Sequence, residues 1–64
     1  MRDISEIIEN VCDYIDRGIV NSVEDGIEEF KKCDFKLNMD LVRKCLEEEF
    51  EEGYSELWEE VEVL

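Results

Sequence analysis

Apolar residues recur at spacings of three and four along most of the chain, and the polar residues between them mark off helix-sized pieces. Ile4, Ile7, Ile8, Val11, Cys12 and Ile15 form the first stripe, with Asp3 placed as N-cap and Glu6 three residues on to complete a capping box. Gly18 is placed to take the left-handed conformation that ends this helix, and Ile19 to make the apolar contact that accompanies such an end. Ser22 caps a second helix, with Asp25 at the reciprocal position, Val23, Ile27 and Phe30 on one face, and Gly26 as a slightly weakening interior residue. Residues 33–37 read as a connector. Asn38 or Asp40 opens a third helix carrying Leu41, Val42, Cys45, Leu46 and Phe50 inward, and Gly53 stops it. Ser55 is placed to cap a short fourth helix with Leu57, Trp58, Val61 and Leu64 inward, although Val61, Glu62 and Val63 also alternate as an edge strand would. The expected fold class is therefore all-α: a small three- or four-helix antiparallel bundle, with residues 1–64 as a single acidic helical domain.

Length makes such a fold marginal, because a core built from 64 residues leaves only ~3–5 kcal/mol after conformational entropy is subtracted. Disulfides are not the expected support: the three cysteines are odd in number, and the N-terminus lacks a basic-then-apolar secretion signal. Free thiols in a reducing cytoplasm are the expectation. The cysteines lie on or beside apolar faces, which reads as core packing, with Cys12 and Cys45 the more central. Without histidine, without a C-x-x-C pair and without the alternating oxygens of a calcium loop, neither a metal nor a cofactor is expected. The absence of histidine and of any nucleophile motif, in a chain too short to build both a pocket and a core, argues against an enzyme.

Charge narrows the partners. A formal net charge of −13 argues against direct nucleic-acid binding and against anionic membrane surfaces, and no apolar run is long enough to span a bilayer. The expected partner is a protein with a basic surface, with a homodimer as a further option. Within the second helix the charges follow the macrodipole, Glu24, Asp25, Glu28 and Glu29 preceding Lys31 and Lys32. In the third helix they oppose it, since Arg43 and Lys44 come first and Glu47, Glu48, Glu49, Glu51 and Glu52 crowd the second half. Arg43–Glu47 and Lys44–Glu48 would then pair in the weaker orientation, while Glu47–Glu51 and Glu48–Glu52 repel.

Glu56, Glu59, Glu60 and Glu62 bring the total to nine carboxylates between positions 47 and 62, with no basic residue among them. If wholly helical, at ~1.5 Å per residue, this stretch would run roughly 22 Å with a charge about every 2.5 Å, of the order of duplex DNA at ~1.7 Å per charge. The expected partner-binding residues are accordingly Glu47, Glu48, Glu51, Glu52, Glu56, Glu59 and Glu60 for charge, with Tyr54 and Trp58 as the apolar anchor. The plainer alternative is a solvated face of good helix formers, with both aromatics completing the core. Two functions follow as expectations. One is a stoichiometric inhibitor or regulator that covers a basic, nucleic-acid-binding surface as a phosphate or DNA mimic. The other is a helical homodimer or complex subunit whose acidic surface serves only solubility.

Overall fold

Each predicted helix start carries the side chain that its orphan amides require. The computed structural model describes residues 3–64, so Met1 and Arg2, the first residues of the expected domain, lie outside it. Helix α1, Ile4–Asp16, opens with the Glu6 N–H donating to Asp3 Oδ1 at 2.9 Å. Helix α2, Val23–Lys31, opens with the Asp25 N–H donating to Ser22 Oγ at 3.2 Å. Helix α3, Met39–Glu52, is capped by Asn38, whose Oδ1 accepts from Asp40 and Leu41 at 3.1 and 3.3 Å.

The glycine stops are also where the pattern put them. Gly18, at φ 77°, closes a Schellman arrangement: its own N–H reaches the Ile15 carbonyl at 3.1 Å and the Ile19 N–H reaches Tyr14 at 2.8 Å. Ile19 does not make the expected apolar contact, being 58% exposed, and Val20 is the residue that turns inward. Gly53, at φ 83°, ends α3. Gly26 has a role that helix propensity alone did not suggest. It is buried where α2 meets α3, and a Cβ at this position would stand 2.7 Å from Leu46 Cδ2. The missing side chain lets the two helices approach over Leu46.

After Gly53 the expected fourth α-helix is instead a 3-10 helix, Glu56–Glu60, capped by Ser55 Oγ at 3.1 Å from the Leu57 N–H. The chain then leaves in extended conformation at Val61, and Val63 makes one isolated antiparallel bridge to Leu37. The edge-strand pattern of residues 61–63 thus survives as a single bridge. Ser55 and Trp58 bind back to α3, and the connector offers the last residues backbone partners at Leu37 and Lys36.

Among the described residues the fold is thus all-helical, with three α-helices and one 3-10 helix. Helix α2 packs on both α1 and α3, and the 3-10 helix packs on α3. The core joins Ile7 and Val11 of α1, Ile27 and Phe30 of α2, Val42, Cys45 and Leu46 of α3, and Leu37 and Val61 from the segments outside the helices. No helix among the described residues is long and apolar enough to cross a membrane.

Candidate functional site

The acidic segment folds back on itself. Gly53 reverses the chain, and two side-chain hydrogen bonds then tie the returning segment to α3: Ser55 Oγ–H donates to Glu48 Oε1 at 3.0 Å, and Trp58 Nε1–H donates to Glu49 Oε1 at 2.8 Å. The continuous 22 Å line of charge anticipated for one helix, at ~1.5 Å per residue, is therefore replaced by two short runs side by side. Glu47, Glu51 and Glu52 lie exposed on α3, and Glu56, Glu59, Glu60 and Glu62 lie exposed on and after the 3-10 helix.

The two remaining carboxylates of the segment serve the fold. Glu48 is half-buried under Ser55, so of the expected charge-bearing residues it is the one with an internal partner. Glu49, absent from that set, is the junction of the C-terminal half. The same oxygen that accepts from Trp58 also lies 3.7 Å from Cys12 Sγ, linking α1, α3 and the 3-10 helix. Helical geometry explains why Glu49 points inward and Phe50 does not. At 100° per residue, Glu49 lies about 20° from the fully buried Val42 and Phe50 about 80° away. Phe50, expected inside, is accordingly 38% exposed at the edge of the stripe.

The two expected anchors part company. Trp58 is half-buried, with its ring stacked on Phe30 at a centroid distance of 5.7 Å and an interplanar angle of 23°, and it packs on the core. Tyr54 is 62% exposed, immediately after Gly53 at the turn between the two acidic runs. Leu64, placed inward by the helical reading, is 78% exposed.

Among the described residues no ion pair involves this surface. Their ion pairs use Asp13, Glu24, Glu28 and Glu29, all upstream of the acidic segment. Arg43 does not pair with Glu47 as helical spacing suggested; it crosses to Glu24 on α2 at 3.3 Å. Glu24 is held below the usual carboxylate range by its own backbone N–H and then by that guanidinium. Lys32 is raised by Glu29, whose Oε2 lies 2.7 Å away.

The thiols are set against reactivity. Burial, and then the Glu49 carboxylate, push Cys12 up to about 12, and burial pushes Cys45 up to about 11. A thiol needs its anionic form to attack or to bind metal, so both are poor nucleophiles at neutral pH. Cys33 instead directs its thiol to the Phe30 carbonyl at 2.8 Å. Among the described residues no three His, Cys, Asp or Glu side chains converge as a metal site would require. An open cleft of about 160 Å³ between α1 and α2 is lined by Ile7, Asn10, Val11, Tyr14, Glu29, Lys32 and Cys33, none of which belongs to the acidic surface.

No family model, curated protein or solved structure matches the chain.

Proposed function

We propose that the chain is a protein-binding module, a stoichiometric inhibitor or regulator, that seats its folded-back acidic surface on a basic surface of another protein. The observation that carries this reading is the set of seven exposed carboxylates between Glu47 and Glu62, none of them in an ion pair among the described residues. Exposed like charges oppose folding, and the fold makes no internal use of these seven, so an external cation-rich surface is the natural counterpart. A groove that normally holds nucleic acid is one such surface, because its cations are gathered to meet densely packed phosphate charge. Such a module needs no cofactor and no catalytic group, and it would act in the cytoplasm with its thiols reduced. Tyr54, with Phe50 beside the acidic run on α3, supplies the apolar contact; Trp58 acts from behind by holding the surface together.

The reading predicts that the Glu47→Lys, Glu51→Lys and Glu59→Lys triple variant, which spares Glu48 and Glu49, captures its cytoplasmic partner much more slowly than the natural chain. Dissociation should change little, since distributed charge acts mainly on encounter. Stopped-flow association at two ionic strengths, with a nucleic-acid competitor, measures this. Binding that is unchanged by ~0.5 M salt and by the triple reversal would exclude it, because charge–charge steering is screened at that ionic strength. A second reading, as a homodimer or complex subunit, is favoured by Ile19, Val63 and Leu64, which are exposed apolar residues outside the acidic surface. Salt-insensitive binding would select it.

A further inference from the structure

The C-terminal strap, residues 54–64, is attached by a few separable contacts. Val61 is its one buried residue. Beyond that it is held by half-buried Leu57 and Trp58 against the core, the stack of Trp58 on Phe30, the Ser55 bond to Glu48, the Trp58 bond to Glu49, the Leu37–Val63 bridge, and the Leu64 N–H donating to the Lys36 carbonyl at 2.7 Å. A terminal segment with a single fully buried residue opens at a lower free energy than the whole molecule. Closure also carries an electrostatic penalty. The strap brings Glu56, Glu59, Glu60 and Glu62 back toward the half of α3 that bears the exposed Glu47, Glu51 and Glu52, and among the described residues none of these seven is in an ion pair. Apolar contacts and hydrogen bonds close the strap, and like charge opens it.

We propose that this strap is a charge-operated latch: it opens transiently at low ionic strength and closes when the acidic surface is neutralised. Its regulatory consequence rests on the reading of that surface as a seat for a basic partner. A cationic surface spanning both runs meets the full carboxylate set only when the strap is closed, so binding and closure favour each other by thermodynamic linkage. Glu49 and Trp58 are the pair that positions the closed strap on α3.

The full chain carries its own probe, because Trp58 is the single tryptophan. Trp58 emission and the exchange protection of the Val61 and Leu64 amides would be compared at ~0.01 M and ~0.5 M NaCl, between which the screening length falls from about 30 Å to under about 5 Å. Salt should raise strap protection roughly fivefold relative to the core amides of Val42 and Leu46 and shift Trp58 emission to the blue. The Glu56→Gln, Glu59→Gln and Glu60→Gln triple variant, altered only at exposed positions, should be closed already at low salt. Strap protection that ignores salt, or that rises only in step with Val42 and Leu46, overturns the latch. Octalysine at low salt separates the latch from the binding reading. Octalysine that binds by calorimetry without protecting the strap overturns the latch and leaves that reading intact. Salt-protected strap amides in a chain that octalysine does not bind support the latch and overturn the reading.

Discussion

Trp58 holds Glu49 through its indole N–H while its ring lies on Phe30, so two substitutions separate the two contacts. Trp58→Phe keeps a ring against Phe30 and removes a hydrogen bond to a half-buried carboxylate, and should lower stability by about 1.5 kcal/mol. Trp58→Ala also removes most of the ring's packing and should lower it by about 3 kcal/mol, as read from urea melts. Equal losses would mean that the stack contributes nothing. The thiols make a prediction in pH. Both Cys12 and Cys45 hold their proton more tightly folded than the ordinary value of 9.0, at about 12 and about 11. Above pH 9 the unfolded chain therefore binds fewer protons than the folded one, and stability falls as pH rises toward 11 and 12. Lys32, raised by Glu29, loses its own contribution in the same direction as it deprotonates, so the comparison must be between variants. The Cys12→Ala and Cys45→Ala double variant should be less stable at pH 7 and lose less stability between pH 8 and pH 10.5; a loss as steep as in the natural chain would show that these thiols are not the source.

Among the elements, α3 is the one whose charges run against its dipole, and the structure relieves only its first half, where Arg43 turns to Glu24 on α2. Its last turn has no basic residue, and Glu51 and Glu52 lie exposed beside the C-terminal carbonyls. Replacing both by Gln should stabilise the free chain by ~0.3–1 kcal/mol in urea melts. A clear loss instead would mean that these carboxylates are satisfied within the fold. The caps and stops were legible in sequence because they are local: Asp3, Ser22, Asn38, Ser55, Gly18 and Gly53 each act within a few residues of themselves. The exposed part of the acidic surface was legible for the same reason, since a glutamate with no nearby cation and no apolar periodicity stays outside. What the pattern did not carry was non-local. Helical spacing puts Glu49 on the inward stripe, but its partners there, Trp58 nine residues on and Cys12 on another helix, are set only by the fold. The 3-10 helix replaced a fourth α-helix because Ser55 and Trp58 bind back to α3. Gly26 is a contact point only once Leu46 is known to face it.

At the scale of the whole molecule, the radius of gyration of 10.5 Å compares with about 10.7 Å for a compact domain of this length. The accessible surface of 4568 Å² compares with about 4,300 Å² for a folded monomer of this mass. Neither leaves the large excess of exposed area that an obligate partner would have to cover. Against this stands a formal net charge of −13 on a body measuring 27 × 19 × 17 Å, which favours separated copies and opposes the folded state of each. Sedimentation at micromolar concentration in ~0.01 M salt, where screening reaches about 30 Å, should therefore find a monomer. Its melting temperature should be modest and should rise with added NaCl. If screening returns about 1 kcal/mol, the rise will be about 4–8 °C, because the unfolding entropy of so small a domain is low. A melting temperature that instead depends on protein concentration, with a dimer in the same low salt, would show that apolar residues such as Ile19, Val63 and Leu64 overcome the repulsion. The assembly reading would then displace the acidic-surface one.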